Sequence, residues 1–125
     1  MNLYHKLRKM KILLIDDDEW IRDSLSIFFE SEGCYLEALE TAEKGLEALK
    51  KQPYDIIMVD YRLPGMDGLD FLKQLNEVYP NVKKILITAY GNSALISEAM
   101  QVGIQDFIEK PFTTETIEAS LSMLI

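Results

Sequence analysis

The feature of this 125-residue chain that most limits its fold is an alternation repeated five times: a short apolar run, then a stripe of apolar residues at helical spacing. Lys11–Ile15 is too short for a buried helix and reads as a buried strand. Asp18 follows as a helix N-cap, and Ile21, Leu25, Phe28 and Phe29 recur at helical spacing up to a stop at Gly33. Tyr35–Leu39 is the second strand. Thr41 caps a helix whose apolar face is Ala42, Leu46 and Leu49, and Pro53 ends it. Ile56–Val59 is the clearest buried strand. Pro64-Gly65 and Asp67-Gly68 mark a turn-rich loop, before a stripe of Leu69, Leu72, Leu75 and Val78 closed by Pro80. Ile85–Ile87 is the fourth strand. Ser93 is positioned to cap a helix running through Met100, with Gly103 as its stop. Phe107-Ile108 is the fifth strand, and Thr114–Leu124 the last helix, with Ile117 and Leu121 one turn apart. Short connections and buried strands predict an α/β fold of the (βα)5 kind, a doubly wound five-stranded parallel sheet with helices on both faces. No linker, repeat or low-complexity segment interrupts it.

In open sheets of this type, ligands bind beyond the carboxyl ends of the strands. Polar residues collect at those ends. Strand one runs into Asp16-Asp17-Asp18, strand three into Asp60, strand four into Thr88 and strand five into Lys110. Two carboxylates ~4 Å apart repel by about 4 kcal/mol at an effective dielectric of 20. Asp16, Asp17 and Asp60 together therefore call for a cation, a shared proton or the Lys110 amine. A few carboxylates, with waters and phosphate oxygens, match the hard-oxygen preference of Mg²⁺. The set also suits phosphoryl transfer, with a carboxylate as nucleophile and Thr88 and Lys110 as partners of the phosphoryl oxygens.

Four segments carry a resemblance: Ile12–Asp18 (ILLIDDD), Met58–Gly68 (MVDYRLPGMDG), Ile85–Gly91 (ILITAYG) and Asp106–Phe112 (DFIEKPF). In these, and in separations of 44 residues from Asp16 to Asp60, 28 on to Thr88 and 22 on to Lys110, the chain resembles the receiver domain of bacterial two-component response regulators. Any one motif is weak; four in order are strong. The likeness runs from Lys11 to Ile125. It implies the flavodoxin-like strand order 2-1-3-4-5, with Asp60 as phosphoacceptor and a sensor histidine kinase or phosphotransfer protein as donor. It implies a Mg²⁺ site of Asp16, Asp17, Asp60 and the Arg62 backbone carbonyl, in which Asp17 binds directly and Asp16 acts mostly through water. Thr88 and Phe107 are the implied switch pair, Ala89 the small residue beside the phosphoryl group, and Lys110-Pro111 a cis peptide. The implied output is a change in the surface made by the fourth of the five helices, the fifth strand and the fifth helix. That surface would meet an output domain or effector, or a second copy in a homodimer. Such a domain is not a metabolic enzyme; it catalyses only its own phosphorylation and dephosphorylation. Asp106–Phe112 looks most like receivers joined to transcriptional activators with ATPase domains.

Charge bears on partners. Four of the 13 basic residues (Lys6, Arg8, Lys9 and Lys11) precede residue 12, while all 21 acids follow it. The body is thus more acidic than the net −8 of the whole chain, a poor match for direct nucleic-acid contact. Cys34 stands alone, with no disulfide partner or zinc spacing, which fits a reducing cytoplasm. No run approaches the ~18 apolar residues of a membrane span. Residues 1–10 read as a solvated basic extension ahead of a receiver domain at 11–125. His5, the single histidine, lies in that extension, so a histidine phosphodonor must come from another protein. Trp20 reads as a packing residue.

Three other classes fit less well. A flavin-binding electron carrier of the same strand order needs a Ser/Thr/Gly-rich phosphate loop after strand one, where this chain has three aspartates. A Mg²⁺-dependent phosphatase with an aspartyl nucleophile needs a general acid near it, often two residues on, where Arg62 stands. A degenerate receiver acting as a phosphate-independent interaction module would not need the complete acid set.

Overall fold

The computed structural model describes residues 2–125. Its elements are α1 (Leu3–Leu7), β1 (Lys11–Ile15), α2 (Glu19–Ser31), β2 (Tyr35–Leu39), α3 (Ala42–Lys51), β3 (Ile56–Asp60), α4 (Gly68–Val78), β4 (Lys83–Thr88), α5 (Ser93–Val102), β5 (Asp106–Glu109) and α6 (Thr114–Leu124). The five strands form one parallel sheet in the order β2-β1-β3-β4-β5, the order expected.

Strand periodicity explains why the apolar runs are continuous. Leu13, Ile15, Ile57, Val59 and Leu86 point to a core shared with α3, α4 and α5. Their neighbours Ile12, Leu14, Ile56, Met58, Ile85 and Ile87 point to the opposite core, shared with α2 and α6. Both faces of the central strands are covered, so alternation disappears from their sequence. β2 is the exception. It lies at an edge, its residues are only half-buried or exposed, and its pattern is correspondingly weak.

Three expectations are corrected. The N-terminal extension is not simply solvated: Leu7 is fully buried in the α2/α6 core. Tyr4 donates a hydrogen bond to Glu118 and meets Phe28 edge to face. Lys6 donates to the Ile125 carbonyl at 3.1 Å, and Arg8 to the Glu32 carbonyl at 2.8 Å. The pattern Leu3, Tyr4, Leu7 is a one-turn apolar stripe, hidden in the sequence by the basic residues around it. The cap of α5 is Asn92, whose Oδ1 accepts the Leu95 N–H at 2.9 Å, and Ser93 is the first helical residue. Trp20 is 78% exposed, because the Asp18 cap orients α2 so that Leu25 and Phe29 face the core. With α1 counted, the surface expected to switch is α5–β5–α6.

Candidate functional site

The backbone brings the site residues together by carrying strand pairing one step past the apolar runs. The Asp16 N–H donates to the Leu39 carbonyl at 3.0 Å, and the Lys110 N–H to the Thr88 carbonyl at 2.9 Å. Asp60 closes β3 opposite Ile87. Asp16, Asp60 and Thr88 are buried, and Asp17 is exposed at the mouth. Carboxylate oxygens of Asp16, Asp17 and Asp60 all lie within 4.8 Å of one another.

Lys110 holds this cluster together. Its Nζ stands 3.0 Å from Asp60 Oδ2 and 3.0 Å from Asp16 Oδ2, with its side chain 17% exposed. Burial pulls the ammonium pKa down, but its hydrogen bonds to Asp60 and Asp16 outweigh that and hold it above the usual lysine value. Asp60 is pushed up to about 6, first by burial and then by the charge of Asp16; Lys110 and the Arg62 amide offset only part of this. Asp16 is raised as well, mainly by burial, against the opposing Asp18 N–H and Lys110. One cation therefore does not neutralise three acids. Asp16 Oδ2, close to Lys110 but out of line for a hydrogen bond, is buried without a hydrogen-bond partner. A buried carboxylate oxygen that accepts no hydrogen bond, beside two more carboxylates sharing a single ammonium, fits a hard divalent cation such as Mg²⁺. Asp16, Asp17 and Asp60 are the side chains that would hold it.

Around this centre stand the other expected residues. Thr88 Oγ1 accepts the Tyr90 N–H at 3.0 Å, which leaves its own O–H free to donate. The Lys110-Pro111 peptide is cis. Phe107 is half-buried, and its ring lies over Gly91, where a Cβ would come within 2.5 Å of Phe107 Cζ. Arg62 stacks on the Tyr90 ring, 4.2 Å from its centroid.

Two residues escaped the sequence reading. Arg22 Nη1 donates to the Asp16 carbonyl at 2.8 Å, pinning the acidic loop from the first turns of α2. Its signal was a basic residue one turn into the helix that the aspartates open. Gly68 marks a turn in the sequence, but its reason is steric: a Cβ there would lie 2.2 Å from the Asp60 carbonyl oxygen. The first turn of α4 can approach the end of β3 only without a side chain.

A doubly wound parallel sheet with a cation-ready acid cluster at the carboxyl ends of β1 and β3, cross-linked by a lysine from the end of β5, defines a phosphoryl-handling signalling fold rather than a dinucleotide-binding one. The family model described as "Response regulator receiver domain" matches residues 12–122. The chain belongs to this family, the receiver domains of two-component response regulators. It is 33% identical over 117 residues to the transcriptional regulatory protein FixJ of Bradyrhizobium diazoefficiens, covering 94% of this chain and 57% of that protein. It thus spans little more than half of that relative. To sporulation initiation phosphotransferase F of Bacillus subtilis it is 33% identical over 107 residues, 86% of each chain. The crystal structure of a CheY-like response regulator receiver domain protein from Methanospirillum hungatei superposes with a TM-score of 0.83 at 30% identity, covering 91% of this chain and 94% of that one. A response regulator from Burkholderia pseudomallei, solved with a phosphorylated aspartic acid, calcium ion and citrate, superposes at 0.82 with 25% identity, over 90% of this chain and 66% of that one. Among the described residues, no helix is long and apolar enough to cross a membrane. The α1 helix precedes the matched region.

Proposed function

We propose that Asp60 accepts a phosphoryl group from a phosphohistidine on a sensor histidine kinase or phosphotransfer protein, and that the new charge resets the α5–β5–α6 surface. The observation that carries this is Asp60 itself: a carboxylate 4% exposed, at a strand end, with Lys110 3.0 Å away and two further acids beside it. An Asp60 oxygen attacks phosphorus as the phosphorus–nitrogen bond to the donor imidazole breaks, and the imidazole keeps that electron pair. Asp16, Asp17, Asp60 and the Arg62 carbonyl would hold Mg²⁺, which would supply charge neutralisation and orientation of the phosphoryl oxygens. Lys110 is placed to pair with one of those oxygens, and the free Thr88 O–H to donate to another. Thr88 moving toward the phosphoryl group releases space for Phe107, so the switch is a population shift set by new charge-assisted contacts.

The Burkholderia relative with its phosphorylated aspartic acid supports this reading. The complete acid set disfavours a phosphate-independent interaction module. His5, the single histidine of the sequence, is exposed in α1 and is not the proposed donor. Partners are that donor and an output domain or effector, with a homodimer through α5–β5–α6 as one form of output. The acidic body leaves nucleic acid to the output partner, and the setting is the cytoplasm, where the domain acts as a switch and turns over no metabolite. The test is intact mass after incubation with acetyl phosphate and Mg²⁺. One added phosphoryl group on the wild type and none on Asp60→Asn is expected; no addition to either, or addition to both, refutes the assignment.

A further inference from the structure

The loop between β3 and α4, residues 61–67, carries the Arg62 carbonyl, and its shape has to come from somewhere. Its near end is fixed by the Arg62 guanidinium on the Tyr90 ring. Its far end is closed by the Gly68 N–H donating to the Tyr61 carbonyl at 2.8 Å. Between them the chain turns at Gly65, with φ of +76°, and presents the Met66 N–H to α3. That N–H is taken by Glu43, from the first turn of α3: Oε2 accepts it at 3.2 Å. Gly65 is fitted to the same oxygen, since a Cβ there would stand 2.7 Å from Glu43 Oε2.

Glu43 also stands on a rigid base. Thr41 caps α3, Ala42 is fully buried, and a Cβ on Gly45 would reach 2.3 Å from Ile15 Cδ1, so this turn is pressed onto the sheet. The carboxylate is exposed and touches none of the site acids, yet it reaches across to the loop that faces Asp17.

We propose that Glu43 is a positioning residue for the cation site: by holding the Met66 N–H against α3, it fixes the turn at Gly65 and with it the direction of the Arg62 carbonyl. This rests on the proposed Mg²⁺ role of that carbonyl. Without the latch the loop samples other turns, and the cation must select the competent one, which weakens its apparent affinity by the fraction lost.

The experiment is calorimetric titration of Mg²⁺ into the full chain as wild type, Glu43→Ala, Glu43→Gln and Glu47→Ala, with hydrogen exchange at the Met66 amide read alongside. Glu47 is the control: it lies one turn along the same exposed face and pairs with Lys50 instead of the loop. Expected for Glu43→Ala is Mg²⁺ affinity weakened about fivefold, the loss of one modest hydrogen bond, with faster exchange at Met66. Glu43→Gln keeps an acceptor oxygen and should remain within about twofold of wild type on the same scale, as should Glu47→Ala. Wild-type affinity in Glu43→Ala overturns the proposal. So does an equal loss in Glu43→Gln, which would make the effect one of charge rather than placement. Failure of the wild type to bind Mg²⁺ at all strikes the function beneath it, and is told apart by the wild-type titration alone.

Discussion

Replacing Asp60 by asparagine should stabilise the folded domain at neutral pH even as it removes the proposed phosphoacceptor. Burial, and then the charge of Asp16, push the Asp60 carboxyl up to about 6 in the fold, above the ordinary aspartate range near 4. A carboxyl whose folded pKa is raised binds its proton more tightly in the native state. The charged form therefore destabilises the fold, by nothing below the unfolded value near 4 and fully above the folded value near 6. The gap of about two pKa units corresponds to roughly 3 kcal/mol at 1.36 kcal/mol per unit. Asparagine has the same size and keeps an acceptor oxygen for Lys110, so it removes the charge with little change in packing. At several °C per kcal/mol for a domain of this size, the melting temperature of Asp60→Asn should exceed that of the wild type by roughly 10 °C at pH 7.5 without Mg²⁺. Two further comparisons come from the same melts. The difference should shrink toward zero as pH falls through 6 to 4. Millimolar Mg²⁺ should raise the wild type and narrow the gap, because a cation that binds only the native acid cluster stabilises it by mass action. Equal melting temperatures at pH 7.5, or a less stable variant, would refute the reasoning, since Asp60 would then be paid for by its neighbours in full.

Lys110→Ala should still fold but lose about 3 kcal/mol without Mg²⁺, because two buried carboxylates lose their ammonium; chemical denaturation reads the loss, and a partner-binding assay should show no response to phosphorylation. The Arg62–Tyr90 stack is expected to crowd the approach of water to the phosphoryl group; Arg62→Ala or Tyr90→Ala should then hasten its loss several-fold in a decay measurement, and an unchanged lifetime removes the pair from that role. Leu7→Ala should cost about 2–5 kcal/mol of stability, the range for a fully buried leucine, whereas a loss below ~0.5 kcal/mol, the range of a surface change, would restore the solvated-extension reading.

The sequence was most legible where one residue type answers to one physical demand. The apolar run Ile56–Val59 could only be a strand covered on both faces, and it is fully buried. The acids and the lysine could be assembled on paper because an α/β sheet sends every strand end to the same rim. The misses have a common physical character. Asn92 rather than Ser93 caps α5, because both residues suit the position and only backbone geometry separates them. Leu7 is in the core because a single turn of helix has too few residues to display a period. Arg22, Glu43 and Gly68 serve the site through backbone groups of other segments. Only the Arg22 contact, 6 residues from its partner, leaves a local trace; the Glu43 latch spans 23 residues and leaves none.

The same topology that gathers the site also shortens the path from it. Thr88 and Lys110 end adjacent paired strands, and Thr88 stands opposite Glu109, next to Lys110. Phe107 is on β5, three residues before Lys110, and pairs across to Leu86, two before Thr88. With a period of two, these partners share a face of the sheet, the one covered by α5. Were Thr88 to shift on phosphorylation as proposed, the β4–α5 loop, where Gly91 lies against the Phe107 ring, would be its route to that ring. No long relay is needed. On the proposed reading, Asp60 and the surface of α5–β5–α6 are separated by β4, β5 and the half-buried ring of Phe107.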